Sequence, residues 1–169
     1  LIHWNLNDFP YKSQKEQIET STEIFRMIMG SSPKTFRAPN FSANHDTISI
    51  LNGLNYSIDS SVFPSWKKRN RVMIYRDLFP NALKIPYHPS KENFLVQGDM
   101  EILEVPVSRN PLCRNCPIGG GGLLKYGANE MIDVVDRHSK EIVVLLFHPW
   151  ELLPNHIQNN DGEDAFKKF

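Results

Sequence analysis

No stretch of this 169-residue chain approaches the roughly 18 consecutive apolar residues that a membrane-spanning helix needs; the longest apolar run, around residues 142–147, is far too short. Net charge is missing too. Nineteen Lys and Arg balance nineteen Asp and Glu, so there is no electrostatic case for a nucleic acid or an anionic membrane as partner. Cysteine is scarce: Cys113 and Cys116 form one CxxC within PLCRNCP. A zinc ribbon needs a second such pair, and a thioredoxin-type motif should open a helix after a strand. Pro111 and Pro117 place the motif in a loop, where two ordinary thiols are expected, with a local disulfide or half of a shared metal site as alternatives. The glycines at 119–122 lack the Lys and Ser/Thr of a phosphate loop and read as a flexible or tightly turned connector. Residues 1–7 read as domain interior, so no signal peptide is expected within this stretch. The chain opens on Leu and ends on Lys-Lys-Phe, and is taken as one partial domain, residues 1–169, of a longer protein.

What is present is organised around EIVVLLFHPWEL at 141–152. Ile142, Val143, Val144, Leu145 and Leu146 show no polar alternation, which predicts a strand covered on both faces, as in a parallel sheet or an α/β barrel. His148 then falls where the strand stops and a loop begins, the place where α/β proteins put reacting groups. Taken alone, His148 reads as the cap of a strand end.

Ser13 and Glu16 have capping-box spacing, and Ile18, Thr22, Phe25 and Met29 recur at helical spacing until Gly30, which predicts an amphipathic helix with a core-facing Met and Phe stripe. KTFRAP at 34–39 predicts a short strand ending at Arg37. An arginine there is costly unless a carboxylate or anionic ligand meets its planar fork, so it is either an ion-pair partner or an organiser of a site. A second helix is expected from Ser42 to Gly53, then a strand over NYSIDS at 55–60 that presents Asp59. Helix, Gly, then a strand with a charged residue at its end is the pattern of βα units around a parallel sheet. Polar residues at such strand ends converge on one face, so Arg37, Asp59 and His148 are expected to meet.

Residues 62–110 form a long excursion rich in Pro and aromatics: Phe63, Trp66, Tyr75, Phe79, Tyr87 and Phe94. Its clearest strand is EILEVPVS at 101–108, with Pro106 at an edge or bulge. Such an excursion shapes a groove or covers a barrel mouth, and its aromatics either stack on sugar faces or pack the core. A last helix is expected at 128–138, with Met131, Val134 and Val135 inward.

In this order FRAP (36–39), NYSIDSSVFP (55–64) and VLLFHPWE (144–151), with EVPVS and the glycine run between them, resemble the NodB-type polysaccharide deacetylases, and most of all their exopolysaccharide-associated branch. The resemblance runs from His3 to about residue 153. It implies a distorted (β/α) barrel of the α/β class, incomplete at its N-terminus, and metal-dependent hydrolysis of N-acetyl groups from an amino-sugar polysaccharide or oligosaccharide. By that resemblance Arg37 matches the arginine that orients the catalytic-base Asp, and Asp59 the acidic residue that supports the catalytic histidine. His148 matches the general acid, and Leu146 the leucine of the acetyl pocket. Pro39, Asn40, Phe41 and Trp150 are the further substrate-binding candidates, with the backbone amide of Asn40 or Phe41 as oxyanion donor.

His3 would be the metal-binding remnant, for a divalent ion with zinc first and cobalt, nickel or manganese as alternatives. The family's Asp-Asp motif and second metal histidine are not in the sequence: Asn7 stands four residues after His3, and Asn40 stands where an aromatic or Gly is usual. This piece alone is therefore expected to be inactive. The expected partner is an N-acetylated glycan, with no nucleic acid and no membrane span; compartment and oligomeric state are open. Two rival functions share the scaffold: opening of small cyclic amides, which wants a tight pocket where this chain offers a long aromatic excursion, and carbohydrate binding without catalysis.

Overall fold

The computed structural model describes residues 5–64, 79, 81–113, 116–138 and 142–152. Contacts divide the chain into two units, Leu1–Pro106 and Val107–Phe169. The first unit opens with a 3-10 turn, Leu6–Asp8, and the helix α1, Tyr11–Met29. The Ser13/Glu16 capping box does not form. Pro10, whose ring fixes φ near the helical value, stands at the N-cap three residues before Ser13, and no side chain caps the helix. Gly30 does end it, at φ 74°, with its N–H on the Arg26 carbonyl. Gly meets no steric cost in that left-handed conformation.

The core-facing stripe predicted on α1 holds only for the first turns. Gln14 and Ile18 are fully buried, while Phe25 and Met29 are 42% and 62% exposed. Helical spacing aligns residues on one face but does not say how far along that face a partner extends, and on α1 full burial stops at Ile18. The buried Gln14 ties the two helices together: its Nε2 donates to the Phe9 carbonyl (2.9 Å) and its Oε1 accepts from Thr47 Oγ1 (2.6 Å).

The helix α2, His45–Gly53, begins at Asn44, whose side chain and that of Thr47 form a reciprocal capping box. Ser42, expected to start it, instead bonds Pro39 O and receives the Leu6 N–H. Three two-residue strands, β1 (Thr35–Phe36), β2 (Ile58–Asp59) and β3 (Leu103–Glu104), pair in parallel in that order. The βα alternation read from the sequence is thus present as a short parallel sheet with helices. Ile18, Ile48, Leu51, Val62 and Ile102 are fully buried in its core, joined by Phe94. Among the aromatics of residues 62–110, Phe63, Tyr87 and Phe94 are buried packing and not sugar platforms, and Trp66 and Tyr75 lie outside the described residues.

In the second unit, α3 (Gly120–Tyr126) and α4 (Ala128–Arg137) follow one another, and a small core joins Ile118, Met131 and Val134 with Leu123, Val135 and Val143 at its edge. Two expectations change here. The glycine run opens a helix instead of a loose connector, and Cys113 and Cys116 are joined in a disulfide, their Cα atoms 5.4 Å apart in the range a bridge needs. The buried Asn110 holds that loop, donating its N–H to Cys116 O and accepting from Leu112 N with Oδ1. Residues 142–146 do not form the doubly covered strand: Leu146 makes one parallel bridge, to Gly119, and Ile142 and Leu145 are 63% and 45% exposed. Apolar runs satisfy a buried strand or a segment with one packed side equally well, and only Val143 turns toward the small core.

Burial along α1 predicts unequal costs. Ile18→Ala should destabilise the protein by about 2–4 kcal/mol, and Ile28→Ala, three quarters exposed, by under about 0.5 kcal/mol. Chemical denaturation of both variants checks this; equal losses would refute the packing described.

Candidate functional site

Parallel pairing decides what meets at the strand ends. Asp59 is the last residue of β2 and Glu104 the last of β3, and the register sets them opposite one another. Both are 1% exposed. Asp59 accepts Ser61 Oγ on Oδ1 (2.7 Å) and Ser61 N on Oδ2 (3.3 Å), and Glu104 Oε1 accepts Val62 N (3.0 Å). Glu104 Oε2 is buried and meets no donor among the described residues. The two carboxyl groups lie within hydrogen-bonding reach of each other. Ionised carboxylates only accept, so the contact closes when one of them keeps a proton.

Burial raises both groups above the ordinary carboxylate range, and Glu104 rises further because the Asp59 charge also opposes its ionisation. Asp59 has the richer set of donors and carries the charge; Glu104 carries the proton. Tyr87 bridges Glu104 through the backbone, and burial followed by the charges of Glu104 and Asp59 pushes its hydroxyl above its usual value.

Arg37 follows β1 at the same end of the sheet. Its Nε donates to Ser60 O (2.9 Å) and one terminal amino group to Ser60 Oγ (2.7 Å), while Ser60 Oγ passes its own proton to Val105 O (2.7 Å). Burial lowers the Arg37 pKa, and the charges of Asp59 and Glu104 work against that. The guanidinium therefore acts on the carboxyl pair through space and is held by Ser60. Ser61 completes the link, receiving Ala38 N (2.8 Å) while donating to Asp59.

After Arg37 the chain makes a 3-10 turn, Pro39–Phe41, in which Asn40 and Phe41 have φ of 53° and 56°. Non-glycine residues seldom hold that conformation. Asn40 is steadied by its side chain, which donates to Asn5 Oδ1 (3.1 Å), and the Phe41 ring is buried 5.5 Å from that of Phe63. The Phe41 amide is engaged with Ala38 O (3.2 Å).

Leu146 and His148 belong to the second unit, so the expected meeting of Arg37 and Asp59 is found within the first unit and His148 is described by itself. Leu146 is pinned on both sides, its N–H on Ile118 O (2.9 Å) and its carbonyl on Gly120 N (3.0 Å). A Cβ at Gly119 would sit 1.7 Å from Leu146 O, so only glycine allows this approach. His148 opens the 3-10 turn Pro149–Leu152, and its Nδ1 lies 3.3 Å from Glu151 Oε2. Trp150 stands within that turn. His3 lies outside the described residues, and among those described no three His, Cys, Asp or Glu side chains converge as a metal ion requires. A groove between α3, α4, Leu145 and Phe147 is apolar except for Asp136 and lacks the converging polar groups of a reaction site.

Residues 60–167 match the family model described as a domain of unknown function, DUF3473. The chain belongs to that family. Residues 1–58 match the polysaccharide deacetylase model, in agreement with the resemblance read from the motifs. No curated protein and no solved structure matches the chain. Arg37, Pro39, Asn40 and Phe41 thus fall in the deacetylase segment, and Glu104, Leu146, His148, Trp150 and Glu151 in the DUF3473 segment, with Asp59 between them. The boundary cuts through β2, and β3 of the DUF3473 segment pairs with β2, so one sheet spans both matches.

Glu104 was missed in the sequence reading. It lies in EVPVS, taken there as a strand and nothing more; an acidic residue in mid-strand, aligned with the Asp59 strand end, was the available signal.

The raised carboxyl groups give a pH dependence of fixed sign. Unfolded, Glu104 would lose its proton near the ordinary value of about 4.3; folded, it holds it to higher pH. Above about pH 4.3 the folded state binds more protons than the unfolded one, so stability falls with rising pH by up to about 1.4 kcal/mol per unit for each such proton, until the folded group ionises. Glu104→Gln should flatten this slope in denaturation measured from pH 4 to 8. An unchanged slope would show that Glu104 carries no such proton.

Proposed function

We propose that the protein is a carbohydrate deacetylase that hydrolyses N-acetyl groups of an amino-sugar saccharide. The observation that carries this reading is the cluster of buried Asp59 and Glu104 with half-buried Arg37 at the strand ends of a parallel sheet, half of which lies in the segment matching polysaccharide deacetylases. Structural ion pairs are found anywhere in a sheet; a costly cluster gathered at the carboxyl ends of parallel strands is typical of a reaction site.

Amide hydrolysis needs an activated water, a donor to the tetrahedral oxyanion and a proton for the leaving amine. In this proposal His148 supplies the last. Its Nε2–H passes to the amine nitrogen as the carbon–nitrogen bond breaks, and the ring is left neutral. The oxyanion donor is assigned to the Asn40 amide, because the Phe41 amide is engaged within its turn. Arg37 holds positive potential at the strand ends to orient the carboxylate that takes the water's proton, and Asp59 keeps the negative charge of the buried pair. Pro39 of the first unit and Leu146 and Trp150 of the second are each proposed, by the family resemblance, as substrate-binding residues. Dependence on a divalent metal, zinc first, belongs to the proposal through His3, and the ligands needed beside it are to be sought outside the described residues.

Acetate release from N-acetylated chito-oligomers by the full-length protein, with and without Zn²⁺ or Co²⁺, tests the reading. Release that needs metal and falls by about a hundredfold or more in His148→Ala is the expected result. A folded protein that binds these glycans and releases no acetate would instead be a carbohydrate-binding relative without catalysis.

A further inference from the structure

We propose that Asn5 is a positioning residue for the oxyanion donor: its side chain holds Asn40 in the left-handed conformation that keeps the Asn40 N–H uncommitted, a role that rests on the deacetylase reading. The other N–H groups of the turn are engaged. Ala38 N donates to Ser61 Oγ (2.8 Å), Phe41 N to Ala38 O (3.2 Å) and Ser42 N to Pro39 O (2.9 Å), and a proline has none to give. Among the described residues the Asn40 N–H meets no acceptor. Asn40 stands at φ 53° and ψ 24°, a region that Gly enters without steric cost and Asn more readily than most other residues.

What holds it there comes from a distant segment. Asn40 Nδ2 donates to Asn5 Oδ1 at 3.1 Å, across 35 positions of sequence, and both residues are half-buried. Asn5 Nδ2 turns the other way, toward Asp8 Oδ2 at 3.4 Å. A carboxylate only accepts, so Asp8 sets the orientation of the Asn5 amide and leaves its carbonyl oxygen facing Asn40. Keeping residues 5–7 against the turn does not require this contact. Leu6 N already donates to Ser42 Oγ (2.8 Å) and Asn7 N to Ser42 O (3.1 Å), and Ser42 Oγ donates in turn to Pro39 O (2.6 Å). Those bonds fix the residues on either side of Asn40. The Asn5 contact is the one that acts on Asn40 itself, where a strained φ persists only if its surroundings hold it.

In full-length protein labelled with ¹³C and ¹⁵N, the chemical shifts and the HN–Hα coupling of residue 40 report its φ independently of activity. Asn5→Ala, checked for folding by circular dichroism, should move residue 40 out of the left-handed region. It should also lower kcat for acetate release about tenfold, part of the roughly hundredfold or more that loss of an oxyanion donor costs, with KM changed less than about twofold. Asn40→Gly keeps the backbone N–H and reaches positive φ without a side-chain hold, so adding Asn5→Ala to it should change kcat by less than about twofold. A role of Asn5 confined to docking residues 5–7 would give the same loss in both backgrounds.

A residue 40 that stays left-handed in Asn5→Ala overturns the positioning role, as does a loss of kcat from Asn5→Ala that is the same with and without Asn40→Gly. Loss of the left-handed conformation with kcat unchanged overturns it too. A residue 40 that answers to Asn5→Ala in a protein releasing no acetate supports the hold on Asn40 and overturns the deacetylase reading.

Discussion

Two carboxyl groups, each 1% exposed, face each other at the ends of neighbouring parallel strands, and the first unit is arranged to make that tolerable. A buried charge is costly unless it is paired or hydrogen-bonded, and two together cost more than twice one. Three devices lower the cost: one proton is kept between the pair, Ser61 and Val62 present N–H and O–H groups to the remaining acceptors, and Arg37 sets positive potential nearby while being tied to Ser60. The contacts that cross between strands depend on the parallel register: a slip of one residue would turn Asp59 away from Glu104 and part the Val62 N–H from Glu104 Oε1, while the local Ser61–Asp59 bond would move with its strand. The strands are only two residues long, so the side-chain network holds the register at least as much as the ladder does.

The second unit solves a different problem, close approach of backbone to backbone. Gly119 lets the chain pass against Leu146 O, Gly120 leaves room for the Glu151 carboxylate, and Gly122 leaves room for Asn110 Nδ2 and Met131. Gly121 faces open space. Three of the four glycines are therefore required by contacts, and the motif is a packing surface for the turn that carries His148.

That difference explains what could be read from the sequence. Helix periods, the Gly30 stop and the strand around Asp59 were legible because they are local: spacing, a left-handed cap and β-branched residues act within a few positions. The glycine run was misread because its meaning lies in contacts with residues from 9 to 31 positions away, where no local rule reaches. The run at 142–146 was misread for a related reason, since hydrophobicity reports that a side chain can be buried and not that a partner is there to bury it. Arg37 and Asp59 were found by their places at strand ends. Glu104 was passed over because one acidic residue within a strand carries no mark until the register sets it against another.

The same reasoning bears on how chemistry is divided along the chain. The deacetylase-like segment contributes Arg37 and the strained turn after it, while the DUF3473 segment contributes Glu104, His148 and the carboxylate beside it. A sheet that takes strands from both segments cannot keep its buried proton if either is replaced wholesale, because Asp59 without Glu104, or Glu104 without Asp59, leaves donors and charge unmatched. The two segments are thus bound together by electrostatics as well as by chain continuity. That constraint acts at the strand ends, where substitution is usually tolerated least for chemical reasons and here would also be tolerated least for reasons of stability.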